Sequence, residues 1–135
     1  MKTTPYLVIG NLKCNKTIDQ ARSWIDQFRR GYTPVAGVEV VLAPPLILIA
    51  QIGDYLEQAE MVQFSLAAQD ISPFPLGSYT GATAADMVKT TCRYVIVGHW
   101  ERRNYFHETP LDVVNKVSEA ADASLIPIIC VDETN

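Results

Sequence analysis

Two side chains that could carry chemistry lie just after apolar stretches of this 135-residue sequence. Lys13 follows the stretch Tyr6–Ile9, and His99 follows Tyr94–Val97 after a single glycine. A cation at a strand end suits an anionic substrate, and a neutral imidazole can donate a hydrogen bond to a substrate carbonyl. The residues after His99 can form a helical turn, whose N-terminal N–H groups disfavour a protonated imidazole. The alternatives are structural: a solvent-exposed loop lysine, and a histidine hydrogen-bonded at its strand end.

Further polar residues follow the predicted strands and widen the candidate site. Asn11 follows the same stretch as Lys13, and Gln69-Asp70 follows the third apolar stretch. Catalytic and ligand-binding residues of parallel α/β proteins lie at such strand ends. Glu101 lies next to Arg102, and this spacing predicts an ion pair that orders the loop after His99.

A metal site near His99 would have to draw on His99, Glu101, His107 and Glu108. The His-x-Glu spacing resembles the zinc motif of deaminases, but the Pro-Cys-x-x-Cys segment that accompanies this motif is absent from the sequence. We therefore expect no metal ion and no metal-dependent chemistry.

The loop Leu76–Gly81 is flanked by glycines and carries Tyr79. It has neither the Gly-x-Gly-x-x-Gly pattern nor a P-loop lysine, so the sequence does not favour nucleotide binding. A protruding loop with an aromatic residue is more typical of a contact with another protein surface.

These candidate residues are placed by a recurring unit of a short apolar stretch, a turn and a helical period. The five apolar stretches are Tyr6–Ile9, Val38–Leu42, Val62–Ala68, Tyr94–Val97 and Ile126–Val131. They are continuously apolar, as in parallel strands that are covered on both faces. Strands and helices therefore alternate, which predicts an α/β fold with a parallel sheet and right-handed crossovers. We expect one domain over residues 1–135, without an internal linker.

The helices between the strands have their own signals. Thr17 and Gln20 form a predicted capping box, Pro45 can open the second helix, and a short third helix spans Ala84–Thr91. The fourth begins at Thr109-Pro110. The predicted buried positions are Ile18, Ala21, Ile25 and Phe28 in the first helix, Ile49, Ile52 and Leu56 in the second, and Val113, Val114, Val117 and Ala121 in the fourth.

Composition excludes several classes of partner. A net charge of −4 disfavours nucleic acid as a partner.

The three cysteines, Cys14, Cys92 and Cys130, are widely separated, which disfavours a disulfide framework and fits a reducing compartment. The N-terminus lacks a secretory signal, and the longest apolar run, Leu42–Ala50, is far shorter than the roughly 20 residues of a membrane span. We expect a cytoplasmic protein with no nucleic-acid or membrane partner.

Four blocks of this sequence resemble those of the triosephosphate isomerase family, in the same order and at similar spacing. They are GNLKCN (Gly10–Asn15), AAQDISPFPLGSYTGATAADM (Ala67–Met87), YVIVGHWERRNYFHET (Tyr94–Thr109) and PIICVDE (Pro127–Glu133). The resemblance implies roughly half of a TIM (β/α)8 barrel. It also implies interconversion of dihydroxyacetone phosphate and glyceraldehyde 3-phosphate, a step of glycolysis and gluconeogenesis, without cofactor or metal.

The resemblance assigns roles to individual residues. Asn11 and Lys13 match the family's substrate-binding pair, and Lys13 also supplies catalytic charge. His99 matches the electrophile that polarises the carbonyl. This family is itself the usual example of a neutral histidine held at a helix N-terminus for that role. Tyr79 and Thr80 match the loop that reaches a neighbouring subunit, which implies a homodimer.

The sequence also departs from the family pattern. A complete barrel has about 250 residues, and the family's catalytic glutamate and phosphate loops follow strands beyond the fifth. Trp100 stands where the family has a serine near that glutamate, and Ala82 replaces a glutamate that pairs across the dimer interface. We expect the chain to be inactive or nearly so by itself.

Three functions follow as hypotheses. The chain is the N-terminal portion of an isomerase or acts with a complementary half-barrel; it is a self-associating structural half-barrel without catalysis; or it is a small-anion binding module that uses Lys13 and His99. Apolar faces left without partners predict that the chain associates with a second copy or a complementary half-barrel.

Overall fold

The computed structural model describes residues 6–61 and 63–131. Its strands are β1 (Tyr6–Asn11), β2 (Val38–Ala43), β3 (Phe64–Ala68), β4 (Tyr94–Val97) and β5 (Ile126–Ile129). Its helices are α1 (Ile18–Gly31), α2 (Ile49–Gln58), α3 (Ala85–Val88), α4 (Trp100–Tyr105) and α5 (Pro110–Asp122), with a 3₁₀ helix at Leu46–Leu48. Of the predicted strands, Val62 lies outside the described residues, as do Asp132 and Glu133 of the fourth family-like block.

The chain forms two compact units, one up to Ala67 and one from Ala68 onward. In the first unit β2 pairs in parallel with β1 from Tyr6 opposite Val38, and with β3 from Val40 opposite Phe64. In the second unit β4 and β5 are parallel, with Tyr94 opposite Ile126. The element order and parallel pairing are those of half a TIM (β/α)8 barrel, so the predicted fold class is confirmed. That the whole chain is one domain without a linker stays a prediction.

The start of α1 follows from local sequence, as predicted, whereas the start of α2 differs from the prediction. The Thr17 hydroxyl accepts from the Gln20 N–H, and the Gln20 side chain accepts from the Thr17 N–H at 2.9 Å. This capping box satisfies N–H groups that the first helical turn leaves unpaired. Pro45 precedes the 3₁₀ helix rather than α2 itself. The predicted core positions of α2 (Ile49, Ile52 and Leu56) are buried.

Helix α5 begins as predicted, but its buried face differs from the prediction. Thr109 is the N-cap, Pro110 opens the helix, and Asp112 completes a capping box. The expected stripe was wrong at Val114 and Ala121, which are exposed, whereas Val113 and Val117 are half-buried. The buried residues of α5 are Lys116 and Ala120. Lys116 can be buried because its ammonium group binds carboxylates, and hydrophobic periodicity does not detect such ion pairs.

Burial of the strands is uneven. All of β4, four of the six residues of β2 and four of the five residues of β3 are buried, which agrees with the prediction. In β1, by contrast, Tyr6 is 68% and Val8 55% exposed, and the ends of β5 are exposed too. Within the described ranges β1 pairs with β2 and β5 pairs with β4, so these two strands have a hydrogen-bonded neighbour on one side. No helix in the described part of the chain has the length and apolar character needed to cross a bilayer.

Candidate active site

His99 lies at the carboxyl end of β4, where the chain turns into α4. Gly98 before it has a φ of 72°, a left-handed conformation that favours glycine. His99 itself is the N-cap of α4, and its Nδ1 accepts the backbone N–H of Glu101 at 3.2 Å. A neutral imidazole whose Nδ1 accepts a hydrogen bond carries its proton on Nε2.

The residues beside His99 set its electrostatic and steric surroundings. The Glu101 carboxylate approaches the same nitrogen, with Oε2 3.5 Å from Nδ1. The Trp100 ring lies 6.3 Å from the imidazole, centroid to centroid, and packs edge-to-face on Tyr105 at 5.5 Å. Trp100 is 44% exposed, so its indole forms part of the surface next to His99.

Asn11 and Lys13 lie together at the carboxyl end of β1. The Lys13 N–H donates to Asn11 Oδ1 at 2.9 Å, and Lys13 has a φ of 55°. A lysine in the left-handed region is strained, and such strain is typically retained at binding or catalytic loops. The pair belongs to the first compact unit, whereas His99 belongs to the second.

Arg102 contacts carboxylates that the sequence did not single out as its partners. Its Nε lies 2.8 Å from Asp70 Oδ2 and 3.2 Å from Glu108 Oε2. The ion pair predicted between Glu101 and Arg102 stays a prediction. Lys116 from α5 binds the same two carboxylates, reaching Asp70 Oδ1 at 2.6 Å and also Glu108.

The four residues Asp70, Arg102, Glu108 and Lys116, hereafter the buried tetrad, were not predicted as a group. Burial raises the pKa of the Asp70 carboxyl above its ordinary value, although the nearby Lys116 and Arg102 oppose this shift. Sequence spacing carries only a weak signal for the cluster, because Asp70 lies 46 positions from Lys116.

The predicted interface loop has a defined structure of its own. Tyr79 stacks on Phe74 with ring centroids 4.7 Å apart, and the Ala82 N–H donates to the Tyr79 carbonyl at 3.0 Å. Tyr79 and Thr80 are both exposed. An interface role for these two residues remains a prediction.

Parallel β/α units with polar residues at strand ends define the chain as one of the (β/α)8-barrel class. The sequence model of the triosephosphate isomerase family matches residues 6–135. The chain belongs to the triosephosphate isomerase family.

Individual relatives agree with this assignment. Triosephosphate isomerase from Polynucleobacter asymbioticus is 36% identical over 133 residues, covering 96% of this chain and 53% of the relative. The enzyme of that name from Legionella pneumophila strain Paris is 38% identical over 129 residues, covering 95% of this chain and 51% of the relative. A Dehalococcoides mccartyi relative is 36% identical, covering 94% and 49%. The chain thus spans about half the length of these relatives.

Proposed function

We propose that this chain supplies the carbonyl-polarising half of a triosephosphate isomerase site. Asn11 and Lys13 bind the phosphorylated substrate, and His99 donates its Nε2 proton in a hydrogen bond to the substrate carbonyl. The observation that carries the proposal is the bond from the Glu101 N–H to His99 Nδ1, because a neutral imidazole that accepts at Nδ1 carries its proton on Nε2. The strained backbone of Lys13 supports a binding role for the loop after β1.

These residues favour one step of an aldose–ketose interconversion. When a base removes the proton next to the carbonyl, negative charge develops on the carbonyl oxygen. A neutral imidazole donor and the Lys13 ammonium stabilise that oxygen more strongly as an anion than as a ketone, and this difference lowers the barrier. The proposed reaction uses no cofactor and no metal ion.

We further propose that the purified 135-residue chain does not isomerise triose phosphates by itself. The family's proton-abstracting glutamate follows a sixth strand, and the described strands are five. Absence of a general base typically lowers a rate by about 10²–10⁴-fold. Absence of the phosphate loops also removes binding energy that positions the reacting carbons.

A second copy of the chain or a complementary half-barrel is the proposed protein partner. The exposed apolar residues of β1, Tyr6 and Val8, support this, since uncovered strands are prone to pair with other chains. Tyr79 and Thr80 are proposed as interface residues on the same basis of exposure. A cytoplasmic location is supported by the thiol form of the three cysteines, none of which is in a disulfide.

A self-associating structural half-barrel without ligand binding is the alternative function, and the same exposed strand favours it. Titration of ¹⁵N-labelled chain with dihydroxyacetone phosphate separates the two. The site proposal predicts saturable shifts of the His99 imidazole signals that are lost in Lys13→Ala and not produced by inorganic phosphate. Shifts of equal size with phosphate would favour a small-anion binding module. No His99 response at millimolar ligand would overturn the isomerase-site proposal and favour the structural alternative.

A further inference from the structure

Helix α4, which begins directly after His99, has little apolar support. None of its six residues is buried, and its aromatic side chains Trp100 and Tyr105 are exposed. Hydrophobic burial therefore contributes little to the position of this helix. The contacts that hold α4 are chiefly polar, and they come from the half-buried arginines Arg102 and Arg103.

Arg102 is the residue through which α4 is attached to the buried tetrad. Its Nε contacts both Asp70 and Glu108, and the Arg102 carbonyl accepts the Glu108 N–H at 3.2 Å. Glu108 is 3% exposed, and its Oε1 has no hydrogen-bond partner. Glu108 is therefore held by its other oxygen, Oε2, which accepts hydrogen bonds from both Arg102 and Lys116.

Lys116 connects the tetrad to a much longer helix. Its side chain is 4% exposed, and its ammonium group binds Asp70 and Glu108. It lies at the middle of α5, a helix of 13 residues that starts at a capping box. The tetrad contains two cations and two anions, so it is electrically balanced only when Lys116 is present.

We propose that Lys116 is a positioning residue for His99. It holds Asp70 and Glu108 where both can bind Arg102, and Arg102 fixes α4 so that the Glu101 N–H points at His99 Nδ1. Lys116 does not touch the substrate in this scheme; it selects the imidazole tautomer that presents Nε2–H. The importance of that tautomer rests on the proposed function, whereas the positioning itself does not depend on any substrate.

Loss of the Lys116 charge should act unequally on the two carboxylates. Two anions would then share Arg102 and repel one another. Asp70 is 22% exposed and can turn towards water, but Glu108 is enclosed and cannot. Arg102 would lose its shorter ion pair. The first turn of α4 would then be held by the backbone bonds to the His99 carbonyl and by Arg103, without the ion pair that fixes its orientation.

The test is long-range ¹H–¹⁵N spectroscopy of the histidine side chains in Lys116→Met, which keeps an unbranched side chain, one heavy atom shorter, and removes the charge. His107→Gln assigns the signals, since the sequence contains two histidines. The parent is expected to show the Nε2–H pattern for His99, and Lys116→Met is expected to lose that single pattern. Lys89→Met is the matched control, because Lys89 forms an exposed ion pair with Asp86, and it should leave the His99 signals unchanged.

A folded Lys116→Met variant with the parent's His99 pattern would overturn the proposal. If that variant unfolds, the same His99 signals are measured in Asp70→Asn. This variant should remain folded, because the change is nearly isosteric and Asp70 is partly exposed. Loss of the single tautomer in Asp70→Asn supports the proposal, and an unchanged pattern overturns it. The readout uses no ligand, so it can fail while the dihydroxyacetone phosphate titration succeeds, or succeed while that titration fails.

Discussion

Gly98 and Arg103 lie so close together that a Cβ atom on Gly98 would stand 3.0 Å from Arg103 Nη2. Val113 Cγ2 would lie only 3.2 Å from this added Cβ atom. The Arg103 guanidinium donates to the Cys130 carbonyl just after β5, so it ties α4 to that strand. The missing side chain at Gly98 therefore makes room for the contact that joins the His99 turn to the next strand.

Gly98→Ala should lower the free energy of unfolding by about 1–3 kcal/mol, because the new side chain meets Arg103 and the φ of 72° is strained for alanine. Urea unfolding followed by circular dichroism measures this. Gly31→Ala is the matched control, since no atom lies within 4 Å of its added Cβ, and it should be neutral or slightly stabilising. Equal stability of Gly98→Ala and the parent would contradict the close packing.

Thr109→Ala should destabilise the protein by about 1 kcal/mol, the usual value of an N-cap. The Thr109 hydroxyl accepts from the Asp112 N–H and donates to the Asp112 carboxylate. The hydroxyl and the Thr109 backbone N–H both donate to that carboxylate, and these two bonds hold the pKa of Asp112 below its ordinary value. A lowered pKa contributes stability above the unfolded value of 3.8, and this is lost as the pH falls through the folded value.

The cost of Thr109→Ala should accordingly be largest near neutral pH and shrink below pH 3.8. Thr109→Ser retains the hydroxyl and is expected to behave like the parent. Thermal melts across this pH range test both points, and a cost that grows as the pH falls would refute the capping account.

Asp70 should show the opposite pH dependence. Burial raises its pKa in the folded state, so the folded protein binds this proton more readily than the unfolded chain. The Asp70 contribution to stability is therefore present below the unfolded value of 3.8 and is lost as the pH rises through the folded value.

Comparison of the parent with Asp70→Asn isolates this contribution from the other carboxylates. The stability of the parent relative to Asp70→Asn should decrease as the pH is raised from about 3.8 through the folded pKa. Urea unfolding at several pH values gives the difference. A difference that increases with pH would show that Lys116 and Arg102 outweigh the burial of Asp70.

The three thiols should differ sharply in reactivity. Burial raises the pKa of Cys92 to about 12, so its thiolate is scarce at neutral pH, and the residue is shielded from reagents. Cys14 is exposed and should react first with iodoacetamide in native buffer. Peptide mass spectrometry gives the order, with urea-unfolded protein as the control in which Cys92 reacts. Equal native rates at Cys14 and Cys92 would contradict the burial of Cys92.

Features that depend on neighbouring residues could be predicted from the sequence. The Thr17 and Thr109 caps, the helical turn after His99 and the parallel β/α order all follow from spacings of a few residues. Periodicity alone predicts a parallel α/β fold, and the family resemblance specifies half of a (β/α)8 barrel.

Features that depend on distant residues could not be predicted. Hydrophobic periodicity predicts that the valines form the buried face of α5, because it treats a lysine as exposed. Lys116 is buried by partners that include Asp70, which only the folded chain brings near. The exposure of Tyr6 in β1 likewise depends on which strands lie beside it and not on its own apolar character.

The most direct test of the account is an isomerase assay of the purified 135-residue chain with either triose phosphate, run beside Lys13→Ala and His99→Gln prepared identically. We predict no conversion above the solution background in any of the three, since the proposed roles of His99 and Lys13 are to polarise a carbonyl and bind substrate, and neither role includes removal of the proton. Equal residual rates in all three would indicate host enzyme and agree with the prediction. Saturable turnover by the parent that is abolished in Lys13→Ala would contradict it.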